Sequence, residues 1–213
     1  LNVMDCSGLT EYNGIKLAGH YKLNVEGVKP VDSLVLVKDG VIKNMLNNRI
    51  PTPMQRIPNG HAKYSGLSTS PSISPGVLVV TSNTKTSRND MKQKLLAEAE
   101  DRNLDYAYIL KPYMLAGKYC GRRLYRVDVA TGTEKLINHS FYTSGGYDQT
   151  KPERILAMSG DLIVHNTYFK SFNENPTTYI VPDAILIELS DISFDSGSDV
   201  EIRKPFVPYP PFE

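Results

Sequence analysis

The chain has 213 residues, of which 40% are hydrophobic and 22% are charged, a composition typical of a globular protein with a sizeable core. Lysine and arginine total 24 against 23 aspartates and glutamates, so the net charge is +1. This balance argues against direct nucleic-acid binding, and no apolar run is long enough to span a membrane. Cys6 and Cys120 lie far apart in the sequence and indicate two separate thiols.

The clearest local element is a β-hairpin. Two apolar runs, Val35–Lys38 and Val41–Leu46, are joined by Asp39 and Gly40. An Asp-Gly pair favours a type I′ turn, in which both central residues have positive φ. Farther on, residues 51–76 contain five prolines. Because proline interrupts helices and sheet ladders, this stretch predicts a long irregular loop.

A strand, a helix and a second strand follow the loop. Gly76–Thr81 and Tyr106–Leu110 are apolar runs typical of strands. Between them, apolar residues recur every four positions after the capping residue Ser87, which predicts a helix over about residues 87–103. Such a unit allows a parallel crossover between the two strands.

The rest of the sequence is dominated by strand patterns. Further strands are predicted at Arg123–Val129, Glu134–Ile137, Asp161–His165, Thr177–Val181 and Ala184–Leu189. Pro152–Met158 allows a short second helix. Ala184–Leu189 is open to two interpretations: an edge strand that invites pairing, or a central strand buried on both faces. The predicted fold class is α+β, a mainly antiparallel β-sheet with one clear helix.

The sequence contains no self-contained catalytic motif. None of its four histidines (His20, His61, His139 and His165) is followed by glutamate or lies within helical reach of another, so the histidine pair of a zinc-peptidase helix is missing. No nucleophile elbow or phosphate-binding glycine loop is present either. We therefore predict no catalytic residue, no metal site and no cofactor on this chain.

A longer pattern extends over residues 14–64. Gly14–Tyr21 and Asn24–Val28 precede the hairpin Leu36–Leu46, which is followed by Asn48–Arg49 and then by Asn59–Lys63. In order and spacing these pieces resemble the TldD/PmbA family of candidate zinc metallopeptidases, also called modulators of DNA gyrase. Pro176–Glu188 and the proline-rich tail are similar to the closing segments of that family.

The resemblance implies that residues 1–213 are a single C-terminal domain of a longer protein whose N-terminal domain is absent. The family's metal-binding helix would lie in that missing part, and a ligand cysteine would fall between Asp161 and Thr177, where this sequence has none. Asn24 also stands where the family has an aspartate. Zinc is therefore expected only in the full-length parent, and a metal-free parent is the alternative.

The function implied by the resemblance is substrate binding and subunit assembly in a peptidase that acts on peptides or unfolded chains. The isolated chain is expected to be inactive, to bind peptide by adding a strand to a sheet edge, and to associate with itself or with a homologous subunit. A cytoplasmic location is expected, with a signal peptide left open because the true N-terminus is taken to be missing. The alternatives are a non-catalytic assembly module and a regulator linked to DNA gyrase.

Five residues are candidates for the substrate cleft: Glu26, Arg49, Asn59, Gly60 and His61. Glu26 either lines the cleft or is a surface carboxylate in a turn. Arg49 either anchors a substrate carboxylate or pairs with an acidic side chain. His61, beside a glycine that permits close backbone approach, lies either in the cleft or in an exposed loop.

Overall fold

The computed structural model describes residues 1–64, 70–84, 86–115, 118–137, 141–143, 152–167, 175–188 and 192–194. In chain order the strands are β1 (Asn2–Asp5), β2 (Glu11–Tyr12), β3 (Ile15–Lys16), β4 (Leu34–Lys38), β5 (Val41–Ile42), β6 (Ala62–Tyr64), β7 (Pro71–Ile73), β8 (Val77–Thr81), β9 (Tyr106–Leu115), β10 (Lys118–Asp128), β11 (Glu134–Ile137), β12 (Phe141–Thr143), β13 (Ile155–Met158), β14 (Leu162–Thr167), β15 (Thr177–Pro182), β16 (Ile185–Ile187) and β17 (Ile192–Phe194). The same described residues contain one α-helix, α1, which covers Arg88–Asp101.

The chain divides into two compact units. Unit 1 comprises Leu1–Glu98 and Thr150–Glu188, and unit 2 comprises Ala99–Gln149 and Leu189–Glu213. The prediction that residues 1–213 are one domain of a longer protein is not tested by this division. Within the described residues, no helix is long and apolar enough to cross a bilayer.

The predicted α+β class is wrong, because the described residues are mostly strands spread over several sheets, with one short helix. The short second helix allowed at Pro152–Met158 is also wrong. A 3-10 turn at Pro152–Arg154 leads directly into β13. β13 pairs antiparallel with β16, and Ala157 and Met158 are buried in β13. Pairing with a distant strand therefore decides the conformation of a segment whose local sequence also suits a helix.

Unit 1 contains a six-stranded sheet in the order β14-β15-β8-β1-β4-β5. Its pairs are antiparallel except for β15 and β8, which are parallel. The parallel crossover from β8 through α1 to β9 does not form, because β9 pairs with β10 in the three-stranded sheet β11-β10-β9 of unit 2. The predicted strand–helix–strand order is correct, but its two strands belong to different sheets.

The predicted hairpin is present as β4 and β5. Asp39 has a φ of 54° and Gly40 a φ of 77°, as a type I′ turn requires. The second strand ends at Ile42 instead of continuing to Leu46. β5 therefore forms a short edge of the six-stranded sheet, and its two side chains are exposed.

The segment predicted as an irregular loop over 51–76 contains a second hairpin. β6 and β7 pair antiparallel, with Ala62 opposite Ile73 and Tyr64 opposite Pro71. Residues 65–69, at the tip of this hairpin, lie outside the described residues. Pro71 is tolerated at the start of β7 because its backbone nitrogen points away from β6, so no hydrogen bond of the pair requires an N–H there.

Two apolar clusters stabilise unit 1. In the first, Leu17 packs with Val77 of β8 and Ile180 of β15, two strands of the six-stranded sheet. In the second, Met91 of α1 packs with Ala157 of β13 and Leu186 of β16. Leu186 is buried, whereas its neighbour Ile185 is 49% exposed. The interpretation of Ala184–Leu189 as a central strand buried on both faces is therefore wrong.

Candidate functional site

A cleft of about 250 Å³ opens on the surface of unit 1. The loop after β3, strand β6 and the residues that lead into β15 supply its walls. The lining residues are Ala18, Gly19, His20, Tyr21, Leu23, Asn24, Val25, Ala62, Lys63, Tyr64, Asn175 and Pro176. The cleft thus combines apolar side chains with a few polar groups, as ligand-binding clefts commonly do.

Lys63 is the cationic group of the cleft. Its Nζ donates hydrogen bonds to the carbonyl oxygens of Pro75, at 2.7 Å, and Pro176, at 2.9 Å, and lies 5.0 Å from the centre of the Tyr21 ring. Burial lowers the pKa of Lys63 to about 8, and the negative charge of Asp5 opposes this shift. No carboxylate of the described residues lies within ion-pair distance of Nζ.

Tyr21 fixes the loop against the segment that leads into β6. Its hydroxyl donates to the carbonyl oxygen of Gly60 at 3.0 Å, and its backbone N–H donates to that of Ser7 at 3.1 Å. Burial raises the pKa of Tyr21 to about 12, and the charge of Asp5 acts in the same direction. The phenol is therefore neutral at physiological pH and acts as a hydrogen-bond donor.

Three fully buried polar side chains, Asp5, Ser7 and His61, form a cluster next to these residues. Ser7 Oγ donates to Asp5 Oδ1 at 2.5 Å, and the N–H of Gly76 donates to Asp5 Oδ2 at 2.8 Å. His61 Nε2 lies 3.3 Å from Asp5 Oδ1, an ion-pair distance without hydrogen-bond geometry. Burial alone would raise the pKa of Asp5, but its contacts with His61, Ser7 and Gly76 outweigh burial and lower it.

This cluster is not arranged as a catalytic triad. In a triad the serine hydroxyl contacts the histidine and the carboxylate orients the other side of the ring. Here Ser7 contacts Asp5 directly, and His61 Nδ1 lies 2.8 Å from Asn59 Oδ1. None of the three cluster side chains is exposed to solvent. The geometry therefore indicates a structural role.

Asn59, Gly60 and His61, three of the predicted site residues, lie together in the buried segment before β6. The backbone N–H groups of Asn47 and Asn59 each donate to the other residue's Oδ1 at 2.8 Å. Gly60 has a φ of 81°, and a Cβ atom there would lie 2.7 Å from Pro30 Cα. His61 is 0% exposed, so it is not in an exposed loop.

The other two predicted residues, Glu26 and Arg49, contact each other. Glu26 Oε2 accepts a hydrogen bond from the backbone N–H of Arg49 at 3.0 Å, and Arg49 is exposed. None of the five candidates lines the cleft, although their neighbours Val25 and Ala62 do. A role for the five in substrate binding stays a prediction.

Sequence reasoning missed Asn24, Tyr21 and Lys63 as residues of the cleft. Asn24 and Lys63 belong to the segments that carry the family resemblance, but neither stands out by residue type or spacing. The ammonium group of Lys63 is held by hydrogen bonds to the carbonyls of Pro75 and Pro176, which come from other parts of the chain. Within the described residues, no three or more His, Cys, Asp or Glu side chains form a group able to hold a metal ion.

This chain resembles known proteins in fold. No protein-family model and no curated protein matches this sequence. Among solved structures, the fold is similar to that of TldE from Thermococcus kodakarensis, with a TM-score of 0.50 and 14% sequence identity. The fold is TldE-like. The similarity covers 90% of this chain and 39% of TldE, so the chain spans about two fifths of the TldE length.

Proposed function

We propose that this chain is a peptide-binding domain of a TldD/TldE-like protein and that it carries no catalytic group of its own. The TldE-like fold supports the family context. The observation that carries the proposal is a cleft lined by all three residues of β6, Ala62, Lys63 and Tyr64. In this proposal the peptidase chemistry, including any zinc, belongs to the parent protein's other domain.

The hydrogen-bond pattern of β6 shows which of its peptide groups point away from β7. The N–H of Ser74 donates to the carbonyl of His61 at 3.1 Å, and pairing with β7 continues through Lys63 and Ser72. Because peptide groups alternate in direction along an antiparallel strand, those of Ala62 and Tyr64 point away from β7.

The contacts of Ala62 agree with this alternation. The carbonyl of Ala62 accepts a hydrogen bond from the N–H of Val25 at 3.3 Å. Tyr64 is the next residue whose peptide groups face the same way, and it lines the cleft. An extended peptide would add to the edge of β6 at Tyr64, with the apolar side chains of Leu23 and Val25 beside it.

A matched pair of variants at Tyr64 tests this proposal. Tyr64→Pro removes the ring and the N–H that points away from β7, without removing a ladder hydrogen bond to β7, whereas Tyr64→Ala removes the ring alone. Titration of a fluorescent N-acetylated penta-alanine should give at least about tenfold weaker binding for Tyr64→Pro than for Tyr64→Ala. Equal affinity in both variants, or no binding to the wild-type chain, would refute the proposal.

A second candidate function is subunit assembly, and a set of exposed apolar side chains favours it. These side chains follow the turn of the β4–β5 hairpin and continue into the next loop: Val41, Ile42, Met45, Ile50, Met54 and Ile57. Met54 is 80% exposed and Ile57 is 77% exposed. Exposed apolar surface of this kind is common at protein–protein contacts.

Sedimentation at micromolar concentration tests the assembly function. The wild-type chain should sediment as a dimer, and an Ile42→Lys, Ile57→Lys double variant should sediment as a monomer. Lys22→Glu and Lys29→Glu, which change exposed charges elsewhere, should leave the dimer intact. A monomeric wild-type chain would exclude self-association, and a homologous subunit would then be the partner to test.

A further inference from the structure

We infer that the cleft recognises a carboxylate, that of a peptide's C-terminus, through Lys63 and Asn24. This inference rests on the proposed peptide binding and specifies its substrate class, peptides that end in the cleft with a free carboxylate. Both residues line the same cleft, and each has hydrogen-bonding capacity that the described residues leave unused.

The ammonium group of Lys63 has three N–H donors. The carbonyls of Pro75 and Pro176 accept from Nζ, which holds the group in place. Both acceptors are neutral, and no carboxylate of the described residues pairs with Nζ. A half-buried cation held by neutral groups is a suitable partner for an anionic ligand.

Asn24 supplies the second donor. It is 7% exposed, and its Oδ1 accepts hydrogen bonds from the N–H groups of Glu26, at 2.9 Å, and Val28, at 2.7 Å. These two bonds fix the orientation of the amide, since the acceptor atom must be oxygen. Asn24 Nδ2 is then buried without a hydrogen-bond partner, which is rare in folded proteins and points to a missing acceptor.

A carboxylate fits these two groups better than a carbonyl does. It carries a full negative charge for Lys63, and its two oxygens can accept from two separate donors. Apolar side chains of Leu23, Val25 and Ala62 also line the cleft. These apolar groups can pack against apolar side chains near the C-terminus of a bound peptide.

The pH dependence of binding follows from the surroundings of Lys63. Burial lowers the pKa of this lysine to about 8, and Asp5 is the negative charge that opposes the shift. Tyr21, whose ring contacts Lys63, has a pKa raised to about 12 and is therefore neutral where Lys63 titrates. His20 lines the cleft and His61 lies beside Asp5. Affinity for a carboxylate should therefore fall as the pH rises past about 8.

Three pentapeptide probes separate the sources of the carboxylate: N-acetyl penta-alanine as the free acid, the same peptide as its C-terminal amide, and the amide with a central glutamate. At pH 7.5 the free acid should bind about tenfold more tightly than either amide. If the glutamate amide binds like the free acid, the C-terminal assignment is wrong. If all three bind equally, the inference fails while peptide binding stands, and if none binds, the proposed function itself fails.

Two variants test the donors. Lys63→Arg keeps a positive charge above pH 8, so its affinity for the free acid should stay constant from pH 7.5 to 9.5 while that of the wild type falls up to about tenfold. Asn24→Asp keeps the acceptor for Glu26 and Val28 but replaces the donor by an oxygen, and should bind at least about tenfold more weakly.

Lys22→Gln is the control, because Lys22 is exposed and does not line the cleft, and this variant should keep the wild-type pH profile. Circular dichroism and thermal melts establish that each variant is folded. If the affinity of the wild-type chain for the free acid does not change from pH 7.5 to 9.5, the role of Lys63 is overturned. This result holds whether or not the variants fold. Unchanged affinity in a folded Asn24→Asp variant would overturn that of Asn24.

Discussion

His61 Nε2 lies 3.3 Å from Asp5 Oδ1, and both side chains are fully buried. Asp5 ends β1 in the six-stranded sheet, and His61 immediately precedes β6. The pair therefore connects the β6–β7 hairpin to the sheet. A buried carboxylate is stable in an ionised form only when donors surround it. Ser7 and the N–H of Gly76 are two of these donors.

Replacement of this carboxylate should destabilise unit 1. Asp5→Asn keeps the side-chain shape but removes the charge and places an amide N–H2 among the donors, so we expect a loss of about 2–4 kcal/mol in the free energy of unfolding. Asp32→Asn is the control, because Asp32 is exposed and pairs with Lys29 at the surface, and should change stability by less than about 0.5 kcal/mol. Urea unfolding followed by circular dichroism measures both variants, and similar values for the two would contradict the structural role of Asp5.

Acid unfolding gives the same pair a second test. The pKa of Asp5 is lowered from its ordinary value of 3.8 in the folded state, so its contribution to stability is fully present above that value. It is lost as the pH falls through the lower, folded value. Asp5→Asn should therefore show a shallower fall in stability below about pH 4 than the wild-type chain.

Gly19 is required by close backbone contact. A Cβ atom at this position would overlap the carbonyl oxygen of Gly76 and lie 2.6 Å from the backbone nitrogen of Thr178. Gly19→Ala should therefore destabilise the chain by at least about 2 kcal/mol, because neither backbone can move without loss of pairing. Gly8→Ala, whose nearest neighbour would be Asp32 Oδ1 at 3.8 Å, should cost less than about 0.5 kcal/mol. Thermal melts of the two alanine variants make the comparison.

The success of sequence reasoning differs between local and long-range features. The turn at Asp39 and Gly40 was predictable because the chemistry of two adjacent residues determines it. The helix was predicted within a few residues for the same reason, since its cap and its apolar repeat are both local. The strand at Ile155–Met158 was missed because its partner, β16, lies far along the chain. Likewise, nothing local indicates that β8 pairs in parallel with β15 instead of β9.

The candidate site shows the same limit. The run Asn59–Lys63 drew attention through its family resemblance, but its members have different roles in the structure. His61 is buried beside Asp5, whereas Lys63 lines the cleft. This difference arises from two sets of contacts, that of His61 with Asp5 and that of Lys63 with the Pro75 and Pro176 carbonyls. Neither is visible without the pairing of the strands.

The contact of α1 with β16 gives a matched test of packing. Leu186 is 8% exposed and belongs to the apolar cluster with Met91, whereas Ile185 is 49% exposed. Leu186→Ala should lower the free energy of unfolding by about 2–4 kcal/mol, and Ile185→Ala by less than about 1 kcal/mol. Urea titration of both variants checks this, and an equal effect would mean that α1 does not pack on this strand in solution.

Lys63 and Tyr21 give the chain an unusual stability profile in alkaline solution. Lys63 has an ordinary pKa of 10.5 and a folded pKa of about 8. Between these values the unfolded chain holds a proton that the folded chain has released, so stability should rise with pH from about 8 to 10.5. Tyr21 acts in the opposite direction, because its pKa rises from 10.0 to about 12 on folding. Above pH 10 the unfolded chain loses a proton that the folded chain keeps, and stability should fall.

The free energy of unfolding, measured by urea titration from pH 7 to 11.5, should therefore be highest near pH 10. A Cys6→Ser background removes the thiol, whose pKa is raised by burial and would otherwise add a fall above its ordinary value of 9.0. In that background Lys63→Met should abolish the rise and Tyr21→Phe should abolish the fall, whereas Lys22→Met, at an exposed position, should change neither. If the free energy of unfolding still rises with pH in Lys63→Met, another group produces the rise. The pKa of Lys63 would then not be lowered by burial, and its charge would not be in a site without an anionic partner.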